Sequence, residues 1–185
     1  LSDGVSVISG YAPSKDTDAA ISIALCMGAA VKTVDDELWI CGNTSFGKPF
    51  EINCNESGLS ARMFAPIVAL NSEKVVMTGT GSLMFRPVQM VVDALRQGGK
   101  IISSDKGKLP IVMHGALQSG TFVIDGSETS QLLSGLLIAL PLIDGDSKIV
   151  VSKLQSIPYV EMTLDILKHF GVNIQHSEFR TFFIQ

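Results

Sequence analysis

The sequence carries little charge for its size. Charged residues make up 17% of its 185 residues, against roughly 25% in an average soluble domain. The formal net charge is −4 and Lys and Arg never form a run, which argues against a protein that binds nucleic acid through its phosphates. Apolar residues make up 46%, enough for a large core. We expect part of the remaining apolar surface to be covered by another segment or domain.

Long apolar runs are also absent. No segment approaches the roughly 20 apolar residues that cross a bilayer, and the richest one, 135–143, contains Pro141 and stops before Asp144. That stretch predicts a buried helix, and we expect no membrane partner. The first four residues, Leu-Ser-Asp-Gly, lack the basic and apolar regions of a signal peptide. Because they also lack Met, we expect the natural start to lie upstream.

Disulfide and metal patterns are missing as well. The three cysteines, Cys26, Cys41 and Cys54, are odd in number and lack C-x-x-C spacing. This favours a reduced compartment such as the cytoplasm over a disulfide framework. None of the three histidines is spaced as a metal ligand on one helix face, so no metal site is predicted. Walker, G-x-G-x-x-G and H-E-x-x-H motifs and a Ser-His-Asp arrangement are absent too.

What the sequence does contain is an internal repeat of 71 to 72 residues. Three kinds of landmark recur at that spacing: glycines that end helices (Gly28, Gly99 and Gly171), glutamates that open one helix (Glu56 and Glu128), and prolines that open the next (Pro87 and Pro158). Three staggered landmarks with a single period indicate one structural unit repeated along the chain.

The repeated unit reads as βαβαββ. One copy covers 50–114 and the next covers 120–185, whereas the copy that begins at Val5 lacks its first strand and first helix. In the middle copy, a helix is predicted over 57–70 and another over 87–97, with Pro87 in its first turn. In the first copy, Asp16, Thr17 and Asp18 are predicted to cap the helix.

The helix predicted over 129–142 is apolar nearly all round, which indicates burial on every side. Three such helices surrounded by strands would make an inside-out α/β barrel, with the first of its three βαβαββ repeats incomplete. We therefore predict an α/β (α+β) fold. A repeat array without its first elements leaves an apolar face open, so the chain reads as part of a longer polypeptide.

Candidate chemistry lies at the helix starts. Thr129, Ser130 and Gln131 begin the most apolar helix, where hydroxyls and free backbone N–H groups form an anion site without formal charge. The alternative is simple capping, which Ser and Thr commonly provide. A capping box would place Gln or Glu three residues after the cap, which Gln131 does not satisfy.

Three further helix starts carry similar residues. Gly58 would let a ligand approach the backbone closely, although it also eases a tight turn. Arg86 stands at a predicted helix start, where a cation opposes the helix dipole, and this indicates an anion-gripping role or a solvated surface arginine. Ser156 and Tyr159 flank a proline at the fourth start, with capping and core packing as their alternatives. Four polar helix starts related by one repeat favour a shared anion site.

At these starts the sequence resembles the EPSP synthase family, the 3-phosphoshikimate 1-carboxyvinyltransferases. The stretches that carry the resemblance are DTDAAISIALCMGA (16–29), NESGLSAR (55–62), LMFRPVQMVVDALRQGGKI (83–101), DGSETSQLLSGLLIALPL (125–142) and SIPYVEMTLDILKHFGV (156–172). They run in order over nearly the whole chain. The resemblance implies two domains, each an inside-out barrel of three βαβαββ units, in agreement with the repeat.

The resemblance also implies an activity. The family transfers the enolpyruvyl group of phosphoenolpyruvate to the 5-hydroxyl of shikimate 3-phosphate and releases phosphate, without metal or cofactor. The residues implied to bind shikimate 3-phosphate are Thr129, Ser130, Gln131, Ser156 and Tyr159, and those implied to bind phosphoenolpyruvate are Gly58, Arg86 and Gln131. No residue of this chain is assigned a catalytic role. A family member would act in the cytoplasm, or in a plastid if it comes from a plant.

The sequence departs from the family pattern at two positions of this site. Glu56 stands where the family usually has Asn, and Leu59 where it usually has Thr. A carboxylate beside an anionic substrate is unfavourable unless it is protonated or points away. These two residues predict an altered affinity for phosphoenolpyruvate or glyphosate.

The family's Pro-Gly-Ser-Lys-Ser segment and its second domain are not found within 1–185. We therefore expect residues 1–185 to form a single domain that binds shikimate phosphate, to have the second domain as its partner, and to show no turnover alone. Two alternatives remain. One is the related UDP-N-acetylglucosamine enolpyruvyl transferase, against which the DGSETSQ and SIPY stretches argue; the other is a diverged, non-catalytic binding module.

Overall fold

The structure is a computed structural model that describes residues 1–2, 4–42 and 48–185. The first unit contains β1 (Val5–Ser9), α1 (Lys15–Cys26), β2 (Ala30–Val34) and β3 (Glu37–Cys41). The second contains β4 (Phe50–Asn53), α2 (Gly58–Val68), β5 (Val75–Thr78), a 3₁₀ turn (Gly81–Phe85), α3 (Gln89–Gln97), β6 (Ile101–Asp105) and β7 (Lys108–His114). The third contains β8 (Thr121–Asp125), α4 (Gln131–Ala139), a 3₁₀ turn (Leu140–Leu142), β9 (Ser147–Ser152), α5 (Ile157–His169), β10 (Gln175–Ser177) and β11 (Thr181–Ile184).

The predicted βαβαββ unit is confirmed by the sheet topology. The second and third units form four-stranded sheets in the orders β4-β5-β7-β6 and β8-β9-β11-β10. In each, the first two strands are parallel and the other pairs are antiparallel. The first unit has the order β1-β3-β2, which is the same pattern without its first strand. Among the described strands, β1 therefore has one unpaired edge, and the barrel is not closed.

Two helices, α2 and α4, occupy the inside, whereas the sequence predicts three there; the strands form the wall, as predicted. The strands alternate between buried and exposed residues, as in β7, where Leu109, Ile111 and Met113 point inward. α4 is buried along nearly its whole length and packs closely on α2. The contact is tightest at Gly135, where an added Cβ would lie 2.3 Å from the carbonyl oxygen of Met63. Only a glycine allows the two helices to approach this closely.

The second helix of each unit packs on the first strand of the following unit: α1 lies on β4, and α3 lies on β8. Two positions, nine and five residues before the helix-ending glycines Gly28, Gly99 and Gly171, are equivalent in the three helices: Ala19 and Ile23 in α1, Met90 and Ala94 in α3, and Met162 and Ile166 in α5. Ala19 and Ile23 are 0% exposed, Ala94 is 1% exposed and Met90 is partly buried against the core, whereas the two residues of α5 are 53% and 51% exposed. Met162 and Ile166 therefore form an exposed apolar stripe on α5, on the face that packs against a strand in α1 and α3.

Some predicted helix ends are wrong. Ser14, and not Asp16 to Asp18, caps α1, since its hydroxyl oxygen accepts a hydrogen bond from the Thr17 N–H at 3.1 Å. α3 begins at Gln89, so Pro87 lies before the helix instead of in its first turn. In the described part of the chain, no helix is both long enough and apolar enough to cross a membrane.

Candidate functional site

The chain enters α2 and α4 through the same turn. At the end of β4, the Asn53 side-chain oxygen accepts a hydrogen bond from the Asn55 N–H at 2.8 Å. At the end of β8, the Asp125 carboxylate accepts one from the Ser127 N–H, also at 2.8 Å. These Asx turns are 72 residues apart. Each follows the first strand of its unit and leads into the next helix, so α2 and α4 begin at equivalent places in the two units.

Gly58 is the first residue of α2, and two arginines lie over it. Ser57 caps the helix, since its hydroxyl accepts a hydrogen bond from the Ser60 N–H at 3.1 Å. A Cβ added to Gly58 would lie 2.9 Å from Nη1 of Arg62 and 3.4 Å from Nη1 of Arg86. Gly58 and Arg86, which the resemblance implies to bind the same substrate, thus lie next to each other, and the missing side chain leaves room beside two guanidinium groups.

Arg86 reaches this position from a place that differs from the predicted one. It follows the 3₁₀ turn and lies three residues before Gln89, the first residue of α3, so it does not oppose the dipole of α3. Its guanidinium instead lies at the N-terminus of α2, next to backbone N–H groups that also favour an anion. Within the described residues, neither Arg86 nor Arg62 has a carboxylate oxygen within salt-bridge distance.

Arg62 is a site residue that the sequence reasoning missed. It lies one turn into α2, and its Nε atom is buried without a hydrogen-bond partner among the described residues. Burial lowers the pKa of Arg62, while the charge of Glu128 raises this pKa and that of Arg86 lowers it. An arginine stays protonated under such shifts. The available signal was that Arg62 is the only charged residue in the apolar run 57–70.

The start of α4 carries polar groups that the fold leaves unused. Thr129 does cap, since its hydroxyl accepts a hydrogen bond from the Gln131 N–H at 3.1 Å. Ser130 is the N-cap residue, yet within the described chain its buried hydroxyl makes no capping bond. The side-chain oxygen of Gln131 is buried and lacks a partner among the same residues. The capping alternative therefore holds for Thr129 alone.

Ser156 and Tyr159 begin α5 in an unusual way. Ser156 adopts the left-handed conformation, with φ 58° and ψ 46°, and makes no capping bond within the described residues. This conformation costs a non-glycine residue roughly 1–2 kcal/mol, and such strain often lies at functional sites. Tyr159 is 63% exposed. Both hydroxyls are therefore available to a ligand.

The three helix starts converge. Glu128, which precedes the start of α4, lies close enough to Arg62 to act on its pKa. The Gln155 N–H donates a hydrogen bond to the Gly126 carbonyl oxygen at 3.1 Å, which joins the loops that lead into α5 and α4. The result is a surface with two arginines, free hydroxyls and positive helix ends, which suits a ligand with more than one anionic group.

Glu56 points away from this surface. Its Oε2 atom accepts hydrogen bonds from the backbone N–H and the hydroxyl of Ser82, both at 3.3 Å. Gly81, with φ 55°, leaves space for the carboxylate, because a Cβ there would lie 2.4 Å from Cδ of Glu56. The carboxylate thus joins the α2 start to the turn before Arg86. Leu59, three residues further along the chain, is partly exposed. The altered affinity for phosphoenolpyruvate or glyphosate remains a prediction.

The comparisons with known proteins agree with one another. The family model described as "EPSP synthase (3-phosphoshikimate 1-carboxyvinyltransferase)" matches residues 1–185. A 3-phosphoshikimate 1-carboxyvinyltransferase of Clostridium kluyveri is 35% identical over 187 residues, covering 100% of this chain and 44% of the relative. One of Clostridium perfringens strain SM101 is 36% identical over 188 residues, with the same coverage.

A solved structure supports the fold. The EPSP synthase of Acinetobacter baumannii matches with a TM-score of 0.81 and 21% identity, covering 100% of this chain and 42% of that chain. The present chain thus spans less than half the length of the relatives it matches. Because the family model covers every residue from Leu1 to Gln185, the chain belongs to the EPSP synthase family.

Proposed function

We propose that this chain provides the shikimate 3-phosphate side of an enzyme that transfers the enolpyruvyl group of phosphoenolpyruvate to shikimate 3-phosphate. The observation that carries the proposal is the arginine pair over Gly58, which has no carboxylate within 4.0 Å in the described chain, beside the unused polar groups at the start of α4. Both substrates carry a phosphate, and paired donors at helix starts suit two such groups.

In this proposal the two substrates take neighbouring parts of the surface. Gly58, Arg62 and Arg86 hold the phosphate of phosphoenolpyruvate, because guanidinium groups bind phosphate through charge-assisted hydrogen bonds. Ser130 and Thr129 hold the 3-phosphate of shikimate 3-phosphate, and Ser156 and Tyr159 contact the rest of that molecule. Gln131 lies between both groups.

The second domain of the enzyme is the proposed partner, and it would supply the remaining transition-state groups from the opposite wall of the site. The cytoplasm, or a plastid in a plant, is the proposed location. The related transfer to UDP-N-acetylglucosamine is the second candidate activity, and the DGSETSQ stretch at 125–131 supports shikimate 3-phosphate instead.

Titration of the chain with shikimate 3-phosphate, followed by two-dimensional NMR, tests the proposal. We expect saturable shifts at Thr129, Ser130, Ser156 and Tyr159, and none with UDP-N-acetylglucosamine at the same concentration. Ser130→Ala should weaken binding about tenfold or more, because a hydrogen bond to a charged group is lost. Ser177→Ala, an exposed serine in β10, serves as the matched control.

Each outcome of this titration supports or contradicts one of these hypotheses about the ligand. Shifts with the uridine nucleotide alone would favour the second candidate activity. Silence with both ligands would contradict a preformed binding surface in this chain. Equal affinity in Ser130→Ala and the parent chain would contradict the role given to the start of α4.

We also infer how the domain is completed. The unpaired edge of β1 and the apolar stripe of α5 both lie where the repeat requires the first strand of the first unit. In the other units that strand pairs in parallel with the second strand and is covered by the preceding unit's second helix. The proposed occupant is a strand in parallel with β1, followed by an apolar helix that joins α2 and α4, from the segment ahead of Leu1.

A substitution in the stripe tests this completion. In the present chain, Ile166→Gln should change the free energy of unfolding by less than about 0.5 kcal/mol, because the side chain is half-exposed. In a longer polypeptide that includes the preceding segment, it should cost about 2 kcal/mol, because the side chain is then buried. Glu161→Gln, exposed on the same helix, is the control. Equally small effects in both proteins would overturn the inference.

A further inference from the structure

Two buried hydroxyls join the helices whose first residues form the site. Ser134 of α4 and Thr163 of α5 are 2% and 7% exposed. Their hydroxyl oxygens are 2.8 Å apart. Each lies four residues or less beyond a proposed ligand-binding residue, Gln131 on α4 and Tyr159 on α5. The pair therefore lies one turn below the candidate surface.

Each hydroxyl has a single hydrogen, and this determines which of the two side chains donates in their shared hydrogen bond. The Thr163 hydroxyl donates its single hydrogen to the carbonyl oxygen of Tyr159 at 2.9 Å. The shared bond between the two side chains must then be donated by Ser134 and accepted by Thr163. A chain of hydrogen bonds runs from α4, through Thr163, to the backbone of Tyr159, which is itself a proposed ligand contact.

The surrounding contact between the helices lacks such direction. The neighbouring buried residues of the two helices are apolar, among them Leu133, Leu137, Val160 and Leu167. Apolar contacts are non-directional and tolerate small shifts of one helix along another. A buried hydrogen bond does not, because a lost partner leaves an unsatisfied polar group. The hydroxyl pair is thus the feature that can fix the register of α5 on α4.

We propose that Ser134 and Thr163 are positioning residues that set the distance between the start of α4 and the start of α5. Their effect on ligand binding rests on the proposed function, because shikimate 3-phosphate must contact Ser130 and Tyr159 at once. Their effect on the position of the helices does not rest on it. The two effects are therefore measured separately.

The first measurement needs no ligand. We compare the backbone amide spectra of Ser134→Ala, Thr163→Val and Thr163→Ser with that of the parent chain. Ser134→Ala should shift amides across the interface, at 156–159 of α5, and Thr163→Val should shift those at 129–131 of α4. Thr163→Ser keeps the hydroxyl and should restore the parent spectrum at both helix starts. Ile149→Val, a buried change in β9 of similar cost to stability, is the control and should leave both starts unmoved.

The second measurement is affinity. Ser134→Ala and Thr163→Val should weaken binding of shikimate 3-phosphate roughly fivefold, whereas Thr163→Ser and Ile149→Val should not. Shifts confined to the altered helix, with the same loss of thermal stability as Ile149→Val, would overturn the positioning role whether or not the ligand binds. If the parent chain fails to bind shikimate 3-phosphate, the proposed function fails, and the amide shifts still decide the positioning role.

Discussion

Gly135→Ala is expected to destabilise the chain by about 3 kcal/mol. The new Cβ would lie 2.3 Å from the carbonyl oxygen of Met63 and 3.1 Å from Cγ of Pro66. The first of these atoms belongs to the backbone of α2, so a side-chain rotation cannot relieve the contact. α2 and α4 must separate, and the core between them loses its close packing.

The sign of this change is what makes the test decisive. Helix propensity alone predicts that alanine in place of a helical glycine stabilises by about 1 kcal/mol. The measurement is the free energy of unfolding from a urea titration. Gly171→Ala is the control: the structure shows no heavy atom of the described chain within 4 Å of its added Cβ, but its φ is +84°. It should cost only about 1 kcal/mol, from backbone strain. A neutral or stabilising Gly135→Ala would show that α2 and α4 do not pack as described.

The same contact matters for the site. α2 carries Gly58 and Arg62, and Ser130 is the N-cap residue of α4, so the spacing of these two helices sets the distance between the two proposed phosphate-binding sites. We therefore expect Gly135→Ala to weaken ligand binding as well as folding. The hydrogen bond between Ser134 and Thr163 is proposed to set the spacing of α4 and α5 in the same way.

The repeat could be predicted from the sequence because its signals are local. Helix-ending glycines and helix-opening residues recur at a fixed period, and α4 is apolar enough to reveal that it is central. Ser130, Gln131, Gly58 and Tyr159 follow from this, since each is tied to a predicted helix start. The family resemblance then implies that Ser130 and Tyr159 bind shikimate 3-phosphate, that Gly58 binds phosphoenolpyruvate and that Gln131 contacts both.

The rest could not be predicted, because it depends on contacts between units. The sequence places Arg86 near α3, and only the fold shows its guanidinium at the start of α2. In the sequence, Arg62 is a single cation within an apolar helix. Only the structure shows that it lies near Arg86 and Glu128. Likewise, the sequence places the Glu56 carboxylate beside the expected anionic ligand, and only the structure shows that it accepts hydrogen bonds from Ser82.

Lys100 gives the second large expected effect. Its side chain is 3% exposed, and its Nζ atom donates hydrogen bonds to the carbonyl oxygens of Asn71, at 2.8 Å, and Gly115. Burial lowers the pKa of this lysine from 10.5 to about 8, because the charged form loses its hydration. A neutral amine has two N–H groups, enough for both carbonyls, so deprotonation keeps the link between the end of α2 and the end of β7.

The sign of the pH dependence follows from proton counting. Between pH 8 and 10.5 the folded chain holds Lys100 neutral, whereas the unfolded chain still binds the proton. The unfolded state then binds more protons, so the free energy of unfolding rises with pH across this window. A difference of this size in pKa corresponds to about 3 kcal/mol in total. Below pH 8 both states are protonated, and Lys100 contributes no slope.

Urea unfolding from about pH 7 to about pH 10.5 measures this slope, and Lys100→Met removes it. The parent chain minus Lys100→Met cancels the other titrating groups, so we expect that difference to increase by about 3 kcal/mol. Lys74→Met, at an exposed lysine of the same unit, should leave the slope of the parent chain unchanged. A flat difference for Lys100→Met would mean that the two carbonyl oxygens stabilise the ammonium enough to offset its burial. Lys100 would then be a charged link between α2 and β7 at every pH of the experiment.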